Sequence, residues 1–388
     1  MVATFFLKLK RTDWVLTVCM AALIAMGTAF IWSAGSARQI AALQNIWHVH
    51  ACTAVVGLMI YFALASIDYR KLLNIGAVPA YALSVVLLVA VLKLGAKVYG
   101  GQRWLWFFQP SEVSKVAVIV FIAQLLGRGG RTSFKWFAAA GAAFAVPAYL
   151  ILKEPDLGTA LVLAPAVVAM LLTARVWTKG LVAMIVAALL AAGLVLGTVY
   201  VAERQSDEAR KEQLYSRLPL REHQIKRLRV FLFPKHDLRG TGYNQHQALV
   251  SIGSGSVWGK GLRKGELKAL GYLPQSVSMN DFIFAVVAEE SGFMGDMLLL
   301  ALFLGVLLPT MRIAFRAKDD CGRLIAVGVG TLIFCHVYIN IAMSIGLMPI
   351  TGLPLPFISA GRTFLIVLMA SLGLVQSVAV HNGSEAPA

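Results

Sequence analysis

Ten apolar runs, each about the length needed to cross a bilayer, recur along 388 residues and leave little chain for a water-soluble core. They cover residues 14–34, 47–67, 73–96, 111–127, 134–152, 157–174, 180–202, 281–308, 322–347 and 363–380. Only 14% of residues are charged and 59% are hydrophobic, whereas a soluble domain carries about 25% charge. The chain therefore reads as all-α: a polytopic integral membrane protein with about ten transmembrane helices. Residues 1–202 hold the first seven helices, 203–280 form one long extracytoplasmic loop, and 281–388 hold the last three helices and a short cytoplasmic tail. Polar residues, not a small-residue cleavage site, follow the first run, which is expected to stay as an anchor. Cys19, Cys52, Cys321 and Cys335 lack metal-ligand spacing and read as small buried hydrophobes. Such a composition makes nucleic acid an unexpected partner, despite the net charge of +16.

Orientation follows from where the short connections keep their cations, because Lys and Arg are retained on the cytoplasmic side. One face holds Lys8, Lys10, Arg11, Arg70, Lys71, Arg128, Arg131, Lys135, Arg175, Lys179, Arg312, Arg316, Lys318 and Arg323. The other holds only Arg38, Lys97, Arg103 and Lys153 in its short connections. Both termini are thus expected in the cytoplasm. The loop 203–280 is then external although it is basic, which the rule permits for long translocated segments. Its first part, 204–229, mixes both signs and suits an amphipathic helix on the membrane, mainly structural, or a surface for lipid phosphate. Its second part carries Gly240, Gly242, Gly253, Gly255, Gly259, Gly261 and Gly265, a spacing that suits tight turns and contains no Walker A loop.

Ionisable groups inside or at the ends of spans are costly and so become functional candidates. Lys93 can snorkel outward from its span end. Glu112 and Lys115 are three residues apart and share a helix face. Glu154 and Asp156 flank a tight external connection, and Arg362 opens the tenth run. Asp281 opens the eighth, where Ser278 three residues earlier offers a plain alternative: a capping box with a first-turn acid. Deeper in that run Glu289, about 80° around the helix, shares Asp281's side while Glu290 lies opposite. Arg103, Glu112, Lys115, Asp156, Asp281 and Arg362 all fall at external span ends and could surround one cavity. Cations there suit a pyrophosphate, and a carboxylate suits a general base.

Five ordered segments carry a resemblance: GGQRWLWFFQPSEVSK (100–115), EPDLGTA (154–160), GYNQHQALVSIGSGSVWGKGL (242–262), LPQSVSMNDFIFAVVAEESGFMG (273–295) and GLPLPFISAG (352–361). Together they resemble the SEDS family, which includes RodA, FtsW and SpoVE, over about residues 13–380. The resemblance implies a ten-span peptidoglycan glycosyltransferase that polymerises lipid II into a nascent glycan strand outside the cytoplasmic membrane. It also implies a class B penicillin-binding protein, a transpeptidase, as partner, with membrane lipid around both. Tyr243, Asn244 and Gln247, with the IGSG stretch, look closer to the elongation branch than to the division branch. The family's catalytic carboxylate falls on Asp281, and its substrate-cavity motifs on Arg103, Trp104, Gln109, Glu112, Lys115 and Asp156. Gln247, Lys260, Glu289 and Ser359 lie in matched segments and join the substrate-binding candidates. Met279 and Asn280 stand where the family usually has His-Thr, Gln275 replaces a common Glu, and Ala360-Gly361-Arg362 replaces Gly-Gly and a small polar residue.

Combined with the pocket, the resemblance implies that Asp281 takes a proton from the acceptor sugar's hydroxyl while Arg103, Lys115 or a divalent cation balances the leaving pyrophosphate. No cofactor is certain. Asp281 and Glu289 alone supply too few oxygens for an all-protein metal cage, but Mg²⁺ or Mn²⁺ could bind with substrate phosphates. A lipid II flippase of about ten spans is the rival from another class, and a non-catalytic scaffold for the transpeptidase is a third reading. Against the flippase, the polar cluster gathers on one face instead of crossing the membrane.

Overall fold

The computed structural model describes residues 11–35, 44–98, 101–105, 108–127, 133–154, 156–205, 207–218, 220, 222–234, 242–265 and 278–382. Lys8, Lys10, Arg38, Arg128, Arg131, Gly240 and Gln275 lie outside them. Within the described residues each of the ten apolar runs is a helix. They are α1 (Trp14–Gly35), α2 (Ile46–Ser66), α3 (Tyr69–Leu94), α4 (Pro110–Leu126), α5 (Phe134–Lys153), α6 (Leu157–Thr173), α7 (Thr178–Glu203), α11 (Ile283–Arg316), α12 (Asp320–Ser344) and α13 (Arg362–His381). Three shorter helices, α8 (Glu208–Ser216), α9 (Glu222–Leu232) and α10 (Tyr243–Ser254), belong to the long loop. Eight of the ten are long and apolar enough to cross a membrane; α6 is a shorter apolar helix, and α4, also 17 residues, carries Glu112 and Lys115. The one departure from all-α among the described residues is a two-stranded antiparallel hairpin, β1 (Ala96–Val98) and β2 (Gly101–Trp104).

Local chemistry starts several helices where the site needs them. Pro110 sits in the first turn of α4, where its missing N–H costs nothing. Asp156 caps α6 by accepting from Thr159 N at 3.1 Å, and Asp319 caps α12 through Gly322 N at 2.6 Å. Helix α13 lies along α2, α1 lies along α11, and α12 packs among α4, α6 and α11. The core is therefore built on α12 and α13, where Leu324, Val329, Leu365 and Met369 are buried. By contrast α7 meets α6, α8 and α9, and most of its apolar side chains face outward, as lipid contact requires. All four cysteines are free: Cys335 is buried, Cys19 and Cys321 partly so, and Cys52 faces outward.

Two expectations about the long loop change. The stretch 204–229 is two helices, not one, because Pro219 lies between them and disfavours helix in the residue before it. Both are tied to the end of α7 by Glu203, which receives Arg229 Nε at 2.6 Å, Lys211 Nζ at 3.4 Å and the Tyr215 hydroxyl. The glycine-rich stretch is not all turns either: residues 243–254 form α10, fixed to the end of α12 by Gln245 Nε2, which donates to Met343 O at 2.7 Å and Met348 O at 3.1 Å.

Turn chemistry begins after α10 and repairs a break in α11. That helix is interrupted at Gly292, with φ 64° and ψ −169°, which leaves backbone groups without helical partners. The loop segment 256–261 supplies them. Lys260 N donates to Glu289 O (3.0 Å), Gly261 N to Glu290 O (2.9 Å), and Phe293 N and Met294 N donate to Ser256 O (2.9 Å) and Val257 O (3.1 Å). Gly259 holds φ +75°, and a Cβ there would stand 2.2 Å from Glu290 O. Gly259→Ala is expected to cost about 1–3 kcal/mol from backbone strain alone, read as a lower thermal unfolding midpoint in detergent; an unchanged midpoint would remove the clip from the account.

Candidate active site

A cavity of about 420 Å³ opens where the starts of α4, α6, α11 and α13 converge. Four helix N-termini directed at one space favour an anion there before any side chain is counted. Its wall includes Arg103, Trp104, Gln109, Glu112, Asp156, Asp281 and Arg362, from β2, α4, the α6 cap, the turn before α11 and the start of α13. Charged side chains far apart in sequence are thus brought together.

Asp281 stands in a turn, not in a helical cap. The cap of α11 is Phe282, without a side-chain bond, so the capping-box reading of Ser278 and Asp281 does not hold. Its backbone is held from behind. Asn340 Nδ2 on α12 donates to Asp281 O at 2.8 Å and to Leu353 O at 2.7 Å, and Ser359 Oγ donates to Asn280 O at 2.7 Å while accepting from Leu355 N at 2.7 Å. Burial pushes the Asp281 carboxyl up to about 6, against the pull of Arg227 and Arg103 and with a further push from Asp156. A carboxylate of that kind is ionised at neutral pH and basic enough to accept a proton.

Elsewhere on the wall Asp156 accepts from Thr159 Oγ1 (2.9 Å) and Gln109 Nε2 (3.4 Å), with Arg103 Nη1 at 4.0 Å. Arg103 Nε also donates to Glu154 O at 3.3 Å. The Glu154 carboxyl is fully buried, and its two oxygens find no hydrogen-bond partner among the described residues. Burial, then the charge of Asp156, pushes it up to about 8 against Arg103, so it is neutral at pH 7 and adds no charge to the site.

The remaining sequence candidates separate. Lys115 stands behind the wall, its Nζ 2.8 Å from Glu112 Oε2 and 2.9 Å from His336 Nε2, over the Phe364 ring at 5.3 Å. Ser359 is also behind the wall, where it holds the turn. Glu289 does not neighbour Asp281: the helix carries it two turns deeper, where Lys260 Nζ meets it at 3.0 Å in the loop clip. Glu290 faces the same way and receives Ser33 Oγ at 2.7 and 2.8 Å. Gln247 lies on α10 and, like Lys260 and Glu289, does not line the cavity. Arg227, Thr159 and Thr351 also line the cavity and were not singled out from the sequence. Arg227 was hidden in a mixed-charge stretch whose only legible signal was amphipathic; nothing in it told which arginine turns inward.

Against this geometry, the family model FTSW_RODA_SPOVE, described as "Cell cycle protein", matches residues 13–384. The chain belongs to this family. Among its relatives is the peptidoglycan glycosyltransferase MrdB of Escherichia coli (strain K12), 33% identical over 387 residues, 96% of either chain. The probable peptidoglycan glycosyltransferase FtsW of Geobacter metallireducens is 30% identical over 393 residues, again 96% of each. A solved structure described as "Structural coordination of polymerization and crosslinking by a peptidoglycan synthase complex" superposes with a TM-score of 0.75 at 26% identity, covering 96% of this chain and 99% of that one. In this SEDS chain residues from separate motifs, Arg103, Gln109, Glu112, Asp156 and Asp281 among them, line one cavity. It is a multi-pass membrane protein.

Proposed function

We infer that this chain is a peptidoglycan glycosyltransferase that polymerises lipid II at the outer face of the cytoplasmic membrane, in cell elongation and shape, with Asp281 as general base. The observation that carries the reading is the Asp281 carboxylate in a cavity shared with Arg103, Arg227 and Arg362, in a chain of this family. The acceptor's sugar hydroxyl gives its proton to Asp281 as its oxygen bonds to the donor's anomeric carbon, whose bond to pyrophosphate breaks with inversion. Undecaprenyl pyrophosphate leaves with its charge balanced by the cavity's guanidiniums and the four helix N-termini. The cation distribution supports cytoplasmic termini and an external site, since Arg103 and Asp156 fall in connections on the cation-poor face and Asp281 directly follows the long loop. The likeness to a synthase complex that coordinates polymerisation with crosslinking supports a class B penicillin-binding protein as partner. Tyr243, Asn244 and Gln247 support the elongation branch over division.

Among the described residues no three His, Cys, Asp or Glu side chains group as metal ligands. Mg²⁺ or Mn²⁺ fits only as a shared ion, held by Asp281 together with substrate phosphates and water. When bound it would neutralise phosphate charge. A flippase would need polar groups along a membrane-crossing path; the cavity's charges sit together at helix starts instead.

The test is glycan synthesis from lipid II by the purified full chain with its transpeptidase, in the presence of moenomycin, beside a liposome flipping assay. Flipping without synthesis would replace this reading with the transporter. A pH profile adds a sharper arm. Asp281 acts only when ionised, and it loses its proton as pH rises through about 6. The rate should therefore be level above that value and fall toward tenfold per unit below it. A flat profile to pH 5 with folded protein would move the base elsewhere.

A further inference from the structure

Among the guanidiniums that balance the leaving group in the reading above, one is placed for a more specific role. Arg227, on α9, lines the wall beside Asp281. Among the described residues its guanidinium makes one long hydrogen bond, Nη1 to Thr351 O at 3.5 Å, and no ion pair with a carboxylate. Its neighbour in charge is Arg103, and burial first, then Arg103, lowers its affinity for its proton while Asp281 and Asp156 raise it. A half-buried guanidinium without a paired anion is costly, and two guanidiniums at one cavity are costlier still. An anion between them removes both costs.

The arrangement is also held in place. Arg229, two residues on, lies about 200° around the helix and is fixed to Glu203 at the end of α7. That anchor opposes any rotation of the helix that would carry Arg227 out of the cavity. The planar fork of arginine matches phosphate oxygens two at a time, which a lysine cannot reproduce.

We propose that Arg227 is a substrate-binding residue that, with Arg103, grips the pyrophosphate of a lipid-linked substrate beside Asp281. This rests on the glycosyltransferase reading for its place in a reaction, but binding can be measured without turnover. The full chain in nanodiscs, with its transpeptidase, is titrated with undecaprenyl pyrophosphate and, as the phosphate-free control, undecaprenol. Wild type should bind the pyrophosphate form far more tightly. Arg227→Gln should weaken that binding tenfold or more, Arg227→Lys should recover part of it, and undecaprenol binding should move in neither. Arg227→Lys gives the same reading if the Gln variant does not fold. In turnover, the loss should appear mainly in KM. Equal binding by wild type and folded Arg227 variants, or no preference of wild type for the pyrophosphate form, would overturn the clamp. A chain that binds undecaprenyl pyrophosphate through Arg227 yet makes no glycan would keep the clamp and sink the polymerase.

Discussion

Asp281→Asn should leave a folded membrane protein that makes glycan about 10²–10⁴-fold more slowly. The prediction rests on what the substitution spares. Asn340 and Ser359 bind the backbone around residue 281, not its side chain, so the turn before α11 keeps its supports. An amide has nearly the carboxylate's shape and fills the same part of the cavity. What it lacks is a site that accepts a full proton. Placement of the acceptor should survive, and the defect should sit in kcat with KM little changed, the signature of an interaction made in the transition state. Substrate titration with purified Asp281→Asn, with the proposed transpeptidase partner added, reads this directly. Near-normal kcat would show that another group takes the proton, and the cavity would then be a binding site for chemistry done elsewhere.

How much of this could be read from sequence depends on which physical signal each part leaves. Ten helices were legible because lipid imposes a long, uninterrupted apolar run on every span. Clustering of Arg103, Asp156 and Asp281 was legible because charges at span ends on one face have few places to go. The break at Gly292 was not, because a glycine in an apolar helix reads as tolerated, and its repair by residues 256–261 depends on backbone groups that carry no sequence signature. Glu289 misled because a helical spacing from Asp281 assumes a helix there, whereas Asp281 stands in the turn before α11 and Lys260 of the loop clip pairs with Glu289. Arg227 was invisible because α9 is a loop helix, tied to the end of α7 by the Arg229–Glu203 pair, which no apolar pattern encodes.

Lys115 separates two roles that sequence could not. Its side chain is 1% exposed and that of Glu112 4%, and it reaches Glu112, His336 and the face of Phe364 before it reaches the cavity. The lysine is therefore the counter-ion of Glu112, a wall residue, and acts through it. Lys115→Met keeps the length of the stem and removes the charge, which leaves a buried carboxylate without its partner. Breaking such a pair from one side costs about 3–5 kcal/mol, so a large fall in thermal midpoint is expected. Glu112→Gln with Lys115→Met removes both charges and should regain most of that stability, because the desolvation cost disappears together with the attraction. Recovery of the fold in the double variant without recovery of synthesis would mean that the Glu112 charge itself serves the cavity. If Lys115→Met instead melts like wild type and loses substrate affinity, the ammonium reaches the substrate directly, and the wall between it and the cavity opens during turnover.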